Sequence, residues 1–294
     1  TDVLLNGDTM YSADGGCSVL LDNNGMAHLV WGAQFIINDD LTDGTLNFFP
    51  GTNGLDYWNE YMCDNDPVTI AGSNATNIDD FASYRFAGMA SYPSTGIDAT
   101  GCLYVTYAAL TDFSNTLQNY RHIYAIKSCD LGCTWTTPKD LTPSDQFAEC
   151  MYGSLARRVD NNLHFIYQQD PEPGISVQGD EDGITANDIT YVSEPTTILD
   201  TTVGMCQAYV TGDSVFRAGD SVQLTASCGS AWLWSTGATT QSIWVASYDT
   251  LSVLITTDCG VLSRTVQLAP TSDLPTATIA GTTTLCAGDS VQLL

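Results

Sequence analysis

One seven-residue sequence occurs twice in this chain and strongly limits what the chain can fold into. The heptapeptide Ala-Gly-Asp-Ser-Val-Gln-Leu stands at Ala218–Leu224 and again at Ala287–Leu293, an offset of 69 residues. An identical repeat at the spacing of a small domain predicts tandem modules. Because one residue follows the second copy, and because Thr1 is not a start methionine, we expect these 294 residues to be part of a longer protein.

The part of the chain before the first heptapeptide is predicted to be all-β. Short alternating apolar runs, broken by Gly, Asn, Asp and Pro, take the place of helical periodicity. Three segments each combine a strand, a turn that begins with Asp, and a second strand that carries His or Tyr two residues into its apolar run. These segments are Ser18–Trp31, Thr95–Tyr107 and Leu155–Tyr167, with His28, Tyr104 and His164 at the shared position. Their spacings of 76 and 60 residues predict propeller blades rather than a solenoid.

The octapeptide Ser128-Cys-Asp-Leu-Gly-Cys-Thr-Trp135 predicts a tight turn between two strands. Asp130 can accept backbone N–H groups across the turn, Gly132 can adopt an unusual backbone angle, and Trp135 can fill the space beside the hairpin. The segment resembles the Asp-box, Ser-x-Asp-x-Gly-x-Thr-Trp, of sialidase-like propellers and their many non-enzymatic relatives. The resemblance implies a structural role, and not a catalytic one, for the residues of this motif. They are Ser128, Asp130, Gly132, Thr134 and Trp135.

A longer stretch, Phe147–Val192, resembles the final blade of such propellers in secreted proteins of the Bacteroidota. The residues that carry the resemblance are Ala156–Asp160, His164, Tyr167–Asp170, Glu172–Gly174, Gly179–Asp182 and Asn187–Tyr191. The resemblance implies that residues 1–203 are the C-terminal part of a sialidase-like β-propeller. About three blades would be present, and the rest of the ring would lie upstream of Thr1.

The composition shifts to Thr, Ser and Val near Gln207, and five to seven short strands are predicted there. Cys228 and Cys259 lie 31 residues apart, with Trp232 and Trp234 between them, which favours a disulfide in an immunoglobulin-like sandwich. The segment Leu233–Ile243 resembles the tandem Ig-like or PKD-like modules of Bacteroidota surface proteins. We therefore expect an Ig-like sandwich at 207–270 and the beginning of a second, truncated one at 276–294.

Ten cysteines without the spacing of a zinc site predict disulfides, and hence an extracellular or cell-surface location. Cys129 and Cys133 flank the predicted turn, and they either bridge it or have different partners. The partner of Cys286 would lie beyond Leu294. The cysteines not assigned to the Ig-like modules number seven, so at least one is expected to be free or paired outside the chain. Both resemblances imply export by the type IX secretion machinery.

The net charge of −26, from 34 acidic and 8 basic residues, disfavours nucleic acids and anionic membrane surfaces as partners. No apolar run is long enough to span a membrane. Carboxylates are also ligands for Ca²⁺, the one cofactor that the sequence suggests. Its best candidate site has Asp180, Glu181 and Asp182 between two glycines, although neither this loop nor the acidic loops Asn38–Asp43 and Asp64–Asp66 has EF-hand spacing.

Sialidase chemistry needs three arginines around a carboxylate, a Tyr–Glu nucleophile pair and an Asp acid/base. The arginines of the predicted propeller are Arg85, Arg121, Arg157 and Arg158. Arg157 and Arg158 are predicted on opposite faces of one strand, so at most one of them faces a given site. Glu149 and Tyr152 are close in sequence, but no third member of a catalytic group can be placed beside them.

Histidines are candidate metal ligands, and tryptophans are candidate sugar-binding residues. His28 and His164 recur at one strand position, which indicates packing rather than metal binding. Trp58 is the tryptophan of the predicted propeller that packing does not explain, so it is a candidate for stacking on a sugar.

These observations predict a non-catalytic, secreted or cell-surface multi-module protein, adhesin-like or a component of a filament or surface layer. The propeller would be the binding head for a glycan or protein ligand, and the Ig-like repeats would be the stalk. The alternative is a sialidase-type glycoside hydrolase with accessory Ig-like modules. A third possibility is a structural subunit that self-assembles through strand edges.

Overall fold

In the computed structural model of the chain, the residues described are 9–38, 40, 42, 45–62, 67–82, 84, 86–174, 185–199, 203–206, 208–227, 229–257 and 260–271. Within these ranges the fold is all-β, with one turn of 3-10 helix at Thr196–Leu199. Among the described residues, no helix has the length and hydropathy to cross a membrane. Cys228, Cys259, the acidic loop at Asp180–Asp182 and residues 276–294 lie outside the described residues.

Three antiparallel sheets form the first part of the molecule. Sheet 1 contains β1 (Thr9–Leu21), β2 (Ala27–Ile37), β4 (Leu55–Asn59) and β5 (Val68–Ala71) in that order, with β3 (Asn47–Phe49) also paired to β2. Sheet 2 has the order β6 (Ala90–Ile97), β7 (Leu103–Ser114), β8 (Asn119–Ser128) and β10 (Lys139–Asp140). Sheet 3 contains β11 (Glu149–Leu155), β12 (Asn162–Asp170) and β13 (Asp188–Pro195). A separate two-stranded ladder joins β9 (Thr134–Thr136) to β14 (Val203–Cys206).

The sheets pack face to face around two apolar cores. Side chains of sheet 1 such as Val30 and Leu55 meet Val105 and Tyr107 of β7 in the first core. Alternate residues of β7 point the other way, where Tyr104 and others meet sheet 3 in the second core. Because sheet 2 is covered on both faces, nine successive residues of β7 are buried, the pattern expected of a central sheet.

The first hairpin of each sheet has the same hydrogen-bonded turn. Asp22, Asp98 and Asp160 each accept the N–H of the residue two positions later, at 2.8, 2.8 and 2.7 Å. The side chain of the recurring His or Tyr in the second strand lies close to the same carboxylate. The distances are 3.6 Å for His28 to Asp22, 3.0 Å for Tyr104 to Asp98, and 3.4 Å for His164 to Asp160. The recurring residue therefore lies beside the carboxylate of its own turn, and Tyr104 donates a hydrogen bond to it.

The first strand of each sheet also carries a bulge at the same place. The ladder shifts register between Ala13 and Cys17, between Ser91 and Ser94, and between Met151 and Ser154. Gly15, Tyr92 and Tyr152 lie in these bulges with φ values of 95°, 52° and 56°. A positive φ is costly for tyrosine, so the two bulges with tyrosines hold backbone conformations that the surrounding packing must enforce.

The turn at Ser128–Trp135 is closed by side-chain hydrogen bonds. Asp130 accepts the Ser128 hydroxyl at 2.9 Å, the Thr134 N–H at 2.9 Å and the Thr134 hydroxyl at 2.6 Å. Gly132 has φ 86°, and its carbonyl accepts the indole N–H of the buried Trp135 at 3.0 Å. The two cysteines of this turn have different partners, because Cys129 is bonded to Cys102 and not to Cys133.

The second part of the molecule, from residue 208, has small sheets around one core. The strands are β15 (Val210–Thr211), β16 (Val215–Phe216), β17 (Val222–Ala226), β18 (Ala231–Trp234), β19 (Ser242–Val245), β20 (Thr250–Thr257), β21 (Gly260–Gln267) and β22 (Ala269–Pro270). Two three-stranded sheets, β15-β17-β19 and β18-β20-β21, and the parallel pair β16-β22 make up this part. Trp234 is buried in the core, and its indole N–H donates to the Thr240 carbonyl at 2.9 Å.

Tyr209 joins the second part to the first. Its ring belongs to the core between sheets 1 and 2, and its hydroxyl donates to the carbonyl of Leu131 at 3.4 Å. Its backbone exchanges hydrogen bonds with Ser227 of the second part, at 3.0 and 2.8 Å. One buried side chain therefore contacts both parts.

Candidate functional site

A buried ion pair lies where sheets 2 and 3 meet. Arg121 of β8 is 0% exposed, and Glu149 at the start of β11 is 2% exposed. The carboxylate of Glu149 accepts the backbone N–H of Arg121 at 2.6 Å, and its other oxygen lies 4.0 Å from the guanidinium Nε. The two terminal guanidinium nitrogens donate to the carbonyls of Met89 and Ala82, both at 3.2 Å. Arg121 thus ties together the two ends of the segment 82–89.

Burial dominates the ionisation of this pair. It raises the pKa of Glu149 to about 7, although Arg121, the Arg121 N–H and Tyr84 all favour the carboxylate. Burial also lowers the pKa of Arg121, and the charge of Glu149 opposes that shift. Asp14, in the bulge of β1, is likewise held above its usual pKa by burial.

The tyrosine associated with Glu149 is Tyr84 and not the sequence-adjacent Tyr152. The Tyr84 ring lies 5.7 Å from the Arg121 guanidinium carbon, and its hydroxyl donates to the carbonyl of Gly174 at 2.8 Å and accepts the N–H of the same residue at 3.1 Å. Tyr152 is 40% exposed, and its ring packs on Tyr92 at 5.0 Å. The Tyr84–Glu149 pair is therefore enclosed and already bonded to the protein.

The arginines predicted for a carboxylate site do not share one cleft. Arg157 and Arg158 follow the end of β11 instead of lying within a strand, which corrects the expectation that they occupy opposite strand faces. Both are exposed and line a cleft of about 380 Å³ together with Asp22. Arg121 is enclosed in the buried pair, and Arg85 lies outside the described residues.

A larger cleft, of about 730 Å³, opens on sheet 1. Its lining residues are Thr9, Tyr11, Phe35, Phe49, Pro50, Gly51, Thr52 and Asn53. Three of the side chains are aromatic and partly exposed, namely Tyr11 at 44%, Phe35 at 40% and Phe49 at 45%. Among the described residues that line it, none carries a carboxylate, an amine or a guanidinium.

The three aromatic residues form a row across neighbouring strands, which we call the aromatic row. Tyr11 of β1 is paired with Phe35 of β2, and Phe35 is paired with Phe49 of β3. Directly opposite residues project to the same face of a sheet, so the register alone places the three rings side by side. The rings of Tyr11 and Phe35 meet edge to face with centroids 4.8 Å apart.

A buried glutamine fixes the backbone behind the row. The Gln34 amide nitrogen donates to the carbonyl of Phe86 at 2.7 Å, and its oxygen accepts the Phe35 N–H and the Thr52 hydroxyl, both at 2.9 Å. The Thr52 carbonyl also accepts the N–H of Met89 at 2.9 Å. Since Arg121 bonds the carbonyl of Met89, the buried ion pair and the cleft share this segment.

The polar side chains of Tyr11, Thr52 and Asn53 in the cleft already form hydrogen bonds within the protein. Asn53 donates to the carbonyl of Ser73 at 2.8 Å and accepts its N–H at 2.7 Å. The Tyr11 hydroxyl donates to Asp56 at 3.3 Å. Burial and the charge of Asp56 raise the pKa of Tyr11, so the phenol stays neutral. Aromatic surface is therefore the main chemistry that the cleft offers to a ligand.

The sequence pointed to Trp58 as the sugar-stacking residue, but Trp58 is only half-exposed and packs against the core between sheets 1 and 2. Sequence reasoning missed the aromatic row, because its members are separated by 24 and 14 residues. Within the described residues, no cluster of three His, Cys, Asp or Glu side chains could hold a metal ion. The predicted Ca²⁺ ligands lie outside those residues.

Comparisons with known proteins gave only distant structural likenesses. No protein-family model matches the chain, and no curated protein matches it. A protein of unknown function from Dyadobacter fermentans is 12% identical, with a TM-score of 0.42, over 90% of this chain and 71% of its own. A polysaccharide lyase of family PL25, an ulvan lyase, is 12% identical with a TM-score of 0.32, over 85% of this chain and 66% of its own. A family 117 glycoside hydrolase from Zobellia galactanivorans is 10% identical with a TM-score of 0.32, over 90% and 76%. With TM-scores below 0.5, none of them supports an assignment of function.

Proposed function

We propose that this chain belongs to a secreted or cell-surface binding protein, and that it binds a neutral saccharide on the aromatic row of sheet 1. Residues 1–203 would be part of an Asp-box β-propeller that acts as the binding head. Residues 207–270 would be an Ig-like stalk module, with a second one beginning at 276–294.

The propeller assignment is supported by the repetition among the three sheets. Each has an Asp-turn hairpin with a His or Tyr beside the turn carboxylate and a bulge in its first strand, and successive sheets pack face to face. The hydrogen bonds of Asp130 supply the physical reason for the motif at Ser128–Trp135. The buried Trp234 between small sheets is consistent with an Ig-like module.

The observation that carries the binding proposal is the aromatic row itself. Rings held in register on adjacent strands, about 5 Å apart per strand, give a flat apolar platform of the kind on which the C–H faces of a sugar ring can stack. A cleft of about 730 Å³ has room for a short saccharide. The described residues of its lining are uncharged, and together with the net charge of −26 they favour a neutral saccharide over a sialylated or uronic one.

The burial of Glu149, Arg121 and Tyr84 supports a structural role for these three residues. Their side chains are of the types that a glycoside hydrolase could use for catalysis. Glu149, Arg121 and Tyr84 are each at most 3% exposed and bond to one another or to backbone. A nucleophile or acid/base must reach the atoms of its substrate. Binding without turnover is therefore the function we prefer to glycoside hydrolysis.

Location and export are part of the same proposal. The disulfide between Cys102 and Cys129 is typical of proteins that fold in an oxidising compartment. We propose an extracellular or cell-surface location, with export by the type IX machinery as the resemblance to Bacteroidota proteins implies.

Calorimetric titration tests the proposal. A neutral gluco-oligosaccharide, a sialylated oligosaccharide and a uronate oligosaccharide of matched length are titrated into the protein and into its Phe35→Ala variant. We expect the neutral probe to bind best, and the variant to lose about ten-fold or more in affinity. Trp244→Ala, which removes an aromatic side chain that is 68% exposed elsewhere, is the matched control. Equal binding by the Phe35→Ala variant would refute the site, and release of free sialic acid would favour the hydrolase instead.

A further inference from the structure

Sheet 3 has one strand fewer than its neighbours in the described part of the chain. Sheets 1 and 2 each have a path of four strands, whereas sheet 3 ends at β13. The next strand along the chain, β14, pairs with β9 instead of continuing sheet 3. The outer edge of β13 therefore has no strand beside it within the described residues.

The centre of this edge, Ile189–Ser193, has no charged residue and no proline, because the acidic residues of β13 lie near its ends, at Asp188 and Glu194. β13 is eight residues long and keeps an unbroken register with β12 from Asp188 to Pro195. It contains no lysine, no bulge and no proline before its last residue. The strands that end the corresponding paths in sheets 1 and 2, β5 and β10, are only four and two residues long. The opposite edges of those sheets, β1 and β6, have 13 and eight residues. Natural sheets usually protect a long edge with charge, proline or distortion.

The exposed face of β13 is apolar at its centre. Ile189 is 69% exposed and Tyr191 is 63% exposed, and both project to the same side of the sheet. Ile166 of β12, opposite Tyr191, is 46% exposed on that side. An aromatic and a β-branched side chain are favourable cross-strand partners for each other.

From these observations we propose that β13 pairs antiparallel with β13 of a second copy of this chain, about a two-fold axis at Thr190. This register places Ile189 opposite the second copy's Tyr191, and Tyr191 opposite its Ile189. It also keeps the acidic residues apart, because Asp188 then lies opposite Val192. Centring the axis one residue later would bring Asp188 against Glu194, and like charges directly opposite are destabilising.

The net charge determines how the affinity of this dimer should depend on ionic strength. Two copies at −26 repel each other, and dissolved salt screens that repulsion. The dimer should therefore strengthen as ionic strength rises, the opposite of an association held by ion pairs. The pairing is independent of the aromatic row, so it can hold or fail whatever the row binds.

Sedimentation velocity of the whole chain over a range of concentrations, at low and high salt, tests the pairing. We expect a monomer–dimer equilibrium shifted towards dimer by salt, and about a ten-fold weaker dimer for Ile189→Lys. The matched control is Val261→Lys, because Val261 is 63% exposed on β21, an outer strand of the second part. Unchanged melting temperatures would show that the variants fold. A monomer at every concentration and salt, or equal weakening by the control, would overturn the proposal.

A cross-linking experiment tests the register separately. In a Cys17→Ser background, Thr190→Cys should form a disulfide-linked dimer under mild oxidation, because the two positions face each other across the axis. Val192→Cys should not, since its counterpart would lie four residues away along the strand. Cross-linking of both to the same extent would overturn the proposed register.

Discussion

The carboxylate of Glu149 accepts the backbone N–H of Arg121 at 2.6 Å, while the guanidinium of Arg121 turns to the carbonyls of Ala82 and Met89. The pair is therefore a tether as well as an ion pair, since it connects sheet 3 through β8 to the segment beside the cleft. Removing one partner would leave the other buried without its counter-charge, which is usually strongly destabilising.

The first prediction concerns the pH dependence of stability. Burial raises the pKa of Glu149 to about 7, above its ordinary value of 4.5, so the folded state binds this proton more tightly than the unfolded state. The contribution of Glu149 to the free energy of unfolding is then most favourable below pH 4.5 and falls as the pH rises to about 7. Glu149→Gln should remove this dependence. Between about pH 5 and pH 8, the stability of the variant relative to the parent should rise by about 2.5 kcal/mol.

Urea denaturation at several pH values measures this difference. Asp213→Asn, at an exposed aspartate, controls for the general loss of one negative charge. A constant difference between Glu149→Gln and the parent across this range would show that Glu149 does not titrate there.

The second prediction concerns Gly32, which lies opposite the bulge of β1. A Cβ atom at Gly32 would come within 2.1 Å of a carboxylate oxygen of Asp14 and 2.5 Å of its Cγ, so the buried Asp14 would have to move. Gly32→Ala should lower the free energy of unfolding by about 1–3 kcal/mol. Gly51→Ala is the matched control, because nothing lies within 4 Å of a Cβ there. Similar melting temperatures for the two variants would contradict the close approach of Asp14.

The third prediction concerns the turn at Ser128–Trp135. Asp130→Ala removes the acceptor for the Ser128 hydroxyl and for both donors of Thr134. The loss should be about 2–4 kcal/mol in thermal or chemical denaturation, because the acceptor is charged and its donors are partly buried. Asp213→Ala, at an exposed aspartate, should change stability by no more than about 0.5 kcal/mol. If both substitutions had the same small effect, the turn would not depend on its aspartate.

Much of the local structure could be predicted from sequence, because its interactions are local. The turns at Asp22, Asp98 and Asp160 form where the sequence predicts them, since each depends on contacts within a few residues. In the third segment, however, the first strand ends at Leu155 and does not continue to the turn. In the second part, the described strands β16 to β21 lie at the segments that the sequence predicts, which are Val215–Phe216, Ser221–Ala226, Ala231–Trp234, Ser242–Ala246, Leu251–Thr256 and Ser263–Leu268. The bounds agree to within one residue, except that β21 begins three residues earlier. Alternating apolar patterns bounded by turn residues determine such elements before any long-range packing is known.

The candidate sites could not be predicted in the same way. Arg121 and Glu149 are 28 residues apart and meet only because sheet 2 packs on sheet 3. The aromatic row depends on strand register, which the bulge between Ala13 and Cys17 shifts, and a shift by one residue would turn Tyr11 to the other face. The local sequence around Trp58 indicates no packing partner, because the core on which Trp58 packs is built from two different sheets.

The last prediction concerns the two free cysteines of the described residues, Cys17 and Cys150. Cys17 is exposed in the bulged strand β1, whereas Cys150 is buried in the core between sheets 2 and 3. Burial raises the pKa of the Cys150 thiol to about 12, and the thiolate is the reactive form. Iodoacetamide should therefore modify Cys17 in the native protein and Cys150 only after unfolding, as peptide mass mapping can show. Cys102 and Cys129 should need reduction first, because they are bonded to each other. Modification of Cys150 as fast as Cys17 under native conditions would mean that sheet 3 separates readily from sheet 2, and the Arg121–Glu149 tether could then not hold the cleft.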